Sequence, residues 1–460
     1  MDLEGLTRTL FRKRISRDEI ILRLVMEYQT IKDLPFEEAA KLAEAIVAEC
    51  QLSTLPAKSP VMNEVLRVPM AGVTMGKQGV GCRGMGDFFV HKQLADIATT
   101  STEPMLGPKS LDDAGVVRVA SGAGSEQGHE LLIVTKMEGM HSRLSDFPFI
   151  AGFHVTRAAL RDLYVKGARP IAITVDLHLG DDGDVGKLYD FMAGVSTVAE
   201  LTGTPITAGS TLRIGGDMVI GSRLTGGIGA VGVATHLLAR RNVQVGDAVV
   251  MTEGAGGGTI ATTAIYSGCP DVCVETLNVK FLDACELLLS SEIIGKIHAM
   301  CDVTNGGLRG DLHEVNYEAK TGVLINEDLV EDLVNPQVLK LLKAKKVDPF
   351  GVSLDALLLY IPPESANEVI TLLAQKHVKA CQIGTVTDSG TVVFQGRDGT
   401  KKVVPKFRES AYTKVKQVIG EETPADVPAT EASLTGSLEA AKKKRADMVA
   451  YIEAQRKRGQ

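Results

Sequence analysis

The run Asp302-Val303-Thr304-Asn305-Gly306-Gly307-Leu308 decides the reading, taken together with Leu111-Asp112-Asp113-Ala114-Gly115-Val116-Val117. Each sets an acidic residue beside small, turn-forming or β-branched residues. A carboxylate there needs a cation, a donor or solvent to meet it, because burying it unpaired is costly. The two runs lie far apart, so a shared role requires a fold that brings two lobes to one site. Two further signals lie between them. One is Arg161-Asp162-Leu163-Tyr164-Val165-Lys166-Gly167-Ala168-Arg169-Pro170; the other is Ala208-Gly209-Ser210-Thr211.

The totals bound the answer. A chain of 460 residues, 44% hydrophobic and 23% charged, has room for two or three domains with sizeable cores. A net charge of -7 argues against sequence-independent nucleic-acid binding, which needs an excess of Lys and Arg. Gly is abundant (47 residues) and Trp absent, which suits close backbone approach better than aromatic stacking. Seven scattered cysteines do not read as a disulfide framework, so a reducing cytoplasm is expected. No signal peptide is visible at the N-terminus, and no window is apolar enough for a membrane span.

Residues 1–60 read as a helical cap. Ser16 and Glu19 form a capping box ahead of Ile20, Ile21, Leu24 and Val25, and Ala39, Leu42, Ala43, Ile46 and Val47 recur at helical spacing. Within 68–90, Gly76, Gly79, Gly81, Gly84 and Gly86 surround Lys77, Cys82 and Arg83. This stretch reads as a non-helical phosphate cover, with free backbone N–H groups beside two cations. Cys82 beside Arg83 is a candidate nucleophile with a lowered pKa. From about 105 to 236 strand and helix alternate, and a second α+β half of similar scale begins near Arg240. Residues 421–433 read as a linker and 434–460 as a charged helix that docks on a surface or partner. The expected units are 1–60, 61–238, 239–410 and 411–460.

In this order and spacing the motifs resemble the aminoimidazole ribonucleotide (AIR) synthetase, or PurM-like, superfamily. It includes hydrogenase maturation protein HypE, thiamine monophosphate kinase and selenophosphate synthetase. The run from Asp162 to Pro170 is similar to the family's Asn-Asp-Leu-x-x-x-Gly-Ala-x-Pro. Gly246-Asp247-Ala248-Val249-Val250, the Asp302–Leu308 run, and Val347-Asp348-Pro349-Phe350 before Leu357-Leu358-Leu359 are similar to its C-terminal domain.

The resemblance implies an α+β, two-domain protein with added terminal helices, whose four-stranded N-terminal sheet dimerises into a β-barrel. It implies ATP and Mg²⁺ as cofactors, and phosphoryl transfer that activates an oxygen or chalcogen on a small-molecule or partner-borne acceptor. Carried over by position, Asp112, Asp113 and Asp162 hold Mg²⁺, with Glu138 as a substitute ligand in Met137-Glu138-Gly139-Met140-His141. Asp302 lines the cleft from the second half, and Gly79, Gly81, Gly84 and the Gly209-Ser210-Thr211 turn cradle nucleotide. Lys77 and Arg83 neutralise phosphate charge. Two departures stand out: Lys136 replaces an acidic ligand of the kinase pattern, and Ser210 replaces an acid or imidazole. Both imply weakened or reshaped metal binding, and they open the alternative of a catalytically degenerate binding or assembly protein.

Overall fold

The computed structural model of the chain describes residues 1–81, 85–119, 131–304, 306–405, 409–420 and 426–458. Cys82, Arg83 and Gly84 therefore lie outside the described residues.

The cap is three helices, α1 (Leu3–Arg12), α2 (Arg17–Lys32) and α3 (Phe36–Leu52). The Ser16 side chain accepts the Glu19 N–H at 3.3 Å, as its position before an apolar run predicts. Leu3, Ile20, Leu24, Tyr28, Ala43 and Val47 close a small core that also takes in Ile220. Lys32 ties the cap to the body through Asp181 (2.5 Å) and Asp182 (2.6 Å).

The glycine-rich stretch departs from expectation at two places: Met75–Gln78, with Lys77, forms a helical turn capped by Thr74, and the end of the stretch is regular helix. Met85–Ile97 forms a regular helix, α4, that includes Gly86. No Pro follows, and Phe88, Phe89, Val90 and Leu94 supply enough helix-compatible apolar residues to override one glycine.

The N-terminal sheet has five strands rather than the expected four: β1 (Gly115–Val119), β2 (Leu131–Gly139), β3 (Arg169–Leu179), β4 (Ile206–Arg213) and β5 (Leu224–Ala234). Their order is β1-β2-β5-β3-β4, antiparallel except for the β3–β4 pair. Helices α5 (Pro148–Tyr164) and α6 (Gly186–Thr202) cover one face. Leu132, Val134, Ile173, Val175, Ile228 and Ala230 point into that layer, as strand alternation requires.

The second half is built on a seven-stranded mixed sheet. Its strands are β6 (Ala248–Thr252), β7 (Ala299–Asp302), β8 (Gly322–Asn326), β9 (Leu357–Ile361), β10 (Ala380–Thr387), β11 (Val392–Gln395) and β12 (Lys401–Val403). Their order is β12-β11-β8-β10-β6-β9-β7. Helices α7 (Gly258–Tyr266), α8 (Lys280–Leu289), α9 (Gly307–Ala319) and α10 (Ala366–Ala374) flank it. Val250, Met300 and Leu359 join the core shared with the first half, while the alternate residues Val249, Cys301 and Leu358 join a separate core with α9. Neither sheet closes into a barrel within the chain.

The final helix, α11 (Val427–Arg458), starts inside the stretch expected to be a linker and packs along α4. Ser437 donates to the Pro69 carbonyl and Lys442 pairs with Asp96. No described helix is long and apolar enough to cross a membrane.

Candidate active site

Helix α5 carries polar groups inside an otherwise apolar setting. His154, Arg157, Arg161 and Asp162 are all buried, and their spacing of three, four, seven and eight places them on one face. That face opens on a cleft of about 480 Å³ between the two halves. From the N-terminal sheet come Lys136 and Glu138 on β2, with Asp112 and Asp113 just before β1; from the second half come Gly257, Asp302 and Asp355.

The Asp302 run reaches the cleft because its glycines permit a tight turn. Gly307 has φ +65°, and a Cβ there would meet the Phe350 carbonyl oxygen at 2.3 Å, so only glycine fits. The turn is closed by Asp311, which accepts the Thr304 N–H at 2.9 Å. Asp302 is thereby left to face α5.

Every carboxylate brought to this cleft meets a cation of the same chain. Lys136 Nζ lies 2.6 Å from Asp162, 3.4 Å from Glu138 and 2.9 Å from the Asp113 carbonyl. Lys166, wholly buried, lies 2.5 Å from Asp112 and 3.1 Å from Asp113. Arg240 pairs with Asp113 and reaches Glu314 at 2.5 Å. Arg161 bridges Asp302 and Asp355, and Arg157 shares Asp355.

The electrostatics follow from this pairing. Burial alone would raise the Asp113 pKa, but Arg240, Lys166 and Lys136 outweigh it and hold the carboxyl well below the usual range. Burial would lower Lys136, and Asp162 and Glu138 outweigh it in turn. Asp302 goes the other way. Burial, with Asp162 and Asp113 close by, pushes it up to about 8 in spite of Arg161. Two imidazoles are kept neutral: burial, then Lys416 and Arg143, lowers His141 to about 4, and burial, then Arg157, holds His154 well below its ordinary value.

His154 has a fixed tautomer. The Thr276 hydroxyl donates to the Cys273 carbonyl at 2.7 Å, so its oxygen accepts from His154 Nε2 at 3.1 Å. Nδ1 is then an acceptor, and it has no partner among the described residues. It sits beneath Gly257 at the start of α7, whose first turn has no side-chain cap. A strap over the cleft mouth supplies Tyr412, whose hydroxyl lies 2.9 Å from His141 Nε2, and Lys416, paired with Glu409 at 2.5 Å.

Of the candidates read from sequence, Asp112, Asp113, Glu138, Asp162, Asp302 and Gly81 line this cleft. Gly79 is buried and Lys77 exposed, both outside the lining. Gly209, Ser210 and Thr211 form no turn; they lie within β4, the edge strand, paired with Val175, Asp176 and Leu177. Small residues there read as a turn, yet the ladder with β3 holds them extended. Sequence reasoning missed Arg157, Lys166, Arg240, Asp355 and His154.

The same geometry tests whether these residues fit a resident Mg²⁺. That ion takes six oxygens at about 2.0–2.1 Å in near-ideal octahedral geometry. Among the described residues no three His, Cys, Asp or Glu side chains are grouped to hold a metal ion, and each cleft carboxylate is engaged by Lys or Arg. As they stand, they do not fit one.

Residues 111–234 match the family described as AIR synthase related protein, N-terminal domain, and residues 244–397 match its C-terminal domain. The chain belongs to the AIR synthase-related, PurM-like superfamily. Along its full length this PurM-like chain is 44% identical to the uncharacterized protein MJ1416 of Methanocaldococcus jannaschii, covering 100% of both. It is 28% identical to carbamoyl dehydratase HypE of Rhodobacter capsulatus over 64% of this chain and 85% of that one. It is 29% identical to selenide, water dikinase of Myxococcus xanthus over 48% of this chain and 60% of that one. Among solved structures, HypE in complex with ATP superposes with a TM-score of 0.51 at 19% identity, covering 68% of this chain and 90% of that one. AaThiL complexed with AMPPCP and TMP gives 0.52 at 17% identity, covering 71% and 96%. Both show the shared PurM-like fold.

Proposed function

We propose that the cleft between the two halves binds ATP and that the protein activates an oxygen or chalcogen on an acceptor by phosphoryl transfer. The carrying observation is the convergence, in one cleft, of Gly81, Lys136, Arg157 and the start of α7. Backbone N–H groups at an uncapped helix start, with fixed cations beside them, suit a phosphate chain. The nucleotide-bound HypE and AaThiL structures, which share the fold, support the same reading. Phosphoryl transfer depends mainly on positioning and charge neutralisation, which rigid ion-paired side chains supply. Magnesium enters this reading as a companion of the nucleotide's phosphates, not as an ion resident on Asp112, Asp113, Glu138 and Asp162.

The acceptor is a small molecule or a group carried on a partner protein; the solved HypE–HypF complex supports the second form. The outer face of the five-stranded sheet supports a homodimer. Val117, Leu131, Met137 and Leu212 are exposed on that side, and strand β4 is exposed along its length.

The test is calorimetric titration of ATP into the protein with and without Mg²⁺, followed by product analysis. Saturable binding supports the reading, and its absence in both conditions overturns it. One observation favours a second reading, a binding or assembly protein without turnover. Asp112, Asp113 and Asp162 are locked in ion pairs, as in a structural core. ATP binding without hydrolysis or transfer in the presence of candidate acceptors would establish that reading.

A further inference from the structure

We propose that the ammonium of Lys136 is the resident cation of this cleft, filling among Asp162, Glu138 and the Asp113 carbonyl the place a divalent metal would otherwise take. An ammonium has three donors and no acceptor. Here three oxygens surround it, at 2.6, 3.4 and 2.9 Å. The contacts to Asp162 and the Asp113 carbonyl are at hydrogen-bonding distances for an N–H donor and that to Glu138 is a looser ion pair; all lie well beyond the contacts Mg²⁺ makes.

The rest of the cleft closes the alternatives. Asp162's other oxygen is 3.4 Å from Arg161, which also holds Asp302. Asp112 and Asp113 are taken by Lys166 and Arg240. A divalent ion could reach these oxygens only by displacing a buried cation, against like-charge repulsion in a poorly solvated site. Strand register fixes the position of Lys136. It pairs with Ala230 and alternates with Leu132 and Val134 onto the face that meets α5. Its side chain stays 21% exposed, so one side of the charge still looks into the cleft.

The inference extends the proposed function only in saying what meets the ligand's phosphates first; the cation replacement itself stands without a nucleotide. The experiment is Mn²⁺ titration, followed by electron paramagnetic resonance, of the wild type, Lys136→Ala and Lys136→Arg, all without nucleotide. Wild type and Lys136→Arg are expected to bind no Mn²⁺ below ~1 mM, the weak end of protein carboxylate sites. Lys136→Ala frees Asp162 and Glu138 and is expected to bind at least about tenfold more tightly. Micromolar Mn²⁺ binding by the wild type overturns the proposal, as does a folded Lys136→Ala with no gain. Where Lys136→Ala is unstable, a rise in its melting temperature with Mn²⁺ supports the proposal, and no rise overturns it. ATP titration with and without Mg²⁺, run in parallel, separates the two ideas. Lack of ATP binding in both conditions beside the expected Mn²⁺ pattern would sink the nucleotide reading alone.

Discussion

In the seven-stranded sheet, β6, β7 and β9 are buried at every residue, whereas β4 of the five-stranded sheet is exposed at every residue. Around those strands the first sheet has both faces covered by its own chain, and only its edge strand β12 is exposed throughout. The second has one face under α5 and α6 and the other, carrying Val117, Leu131 and Met137, open. The halves solve the burial of apolar surface differently: one internally, the other by leaving an apolar face exposed, which the proposed homodimer would cover. The cleft sits where the covered sides of both sheets meet, which is why its charges are buried and must compensate one another.

The largest effect should come from breaking that compensation. Asp355→Ala strands Arg157 and Arg161 without their shared partner and should cost about 3–5 kcal/mol in urea unfolding. A loss under about 1 kcal/mol would mean the network is far more solvated than its burial implies. On the open side, Val117→Glu with Leu212→Glu should leave each chain folded but weaken self-association at least about tenfold by analytical ultracentrifugation. An unchanged sedimentation coefficient would place the partner surface elsewhere.

A subtler contrast is in pH. Asp302 has its pKa raised on folding, so the folded state keeps a proton that the unfolded state loses. Its contribution to stability is full below the unfolded carboxylate pKa and falls as pH rises toward about 8. Asp302→Asn should flatten the decline between pH 5 and 8 in thermal melts; an equally steep variant would assign that slope to other groups. The smallest effect is expected at the cap, where Lys32→Ala removes partly buried pairs to Asp181 and Asp182 and should cost about 1 kcal/mol.

The acidic landmarks at Asp112, Asp113 and Asp302 were legible because each sits in a run of turn-forming residues, and Gly307 shows the backbone such a run needs. The alternating strands β2, β3 and β9 and helices α5 and α6 could likewise be read from apolar periodicity. The compensating cations could not. Lys166 and Arg240 look like ordinary surface residues in sequence, and only tertiary packing shows that each is almost fully buried. Asp355 carries a positive φ of 54°, a conformation no local motif announces. The one available hint was α5 itself, where Arg157, Arg161 and Asp162 interrupt a helix too apolar elsewhere to lie on the surface.

The docking of α11 ties the glycine-rich stretch to residues made much later. Ser433 meets the Ala71 carbonyl across 362 positions of chain, and Ser437 meets that of Pro69 across 368. Ser433 and Ser437 follow every strand of both sheets in the chain, so residues 69–71 gain this brace only after both sheets have been made.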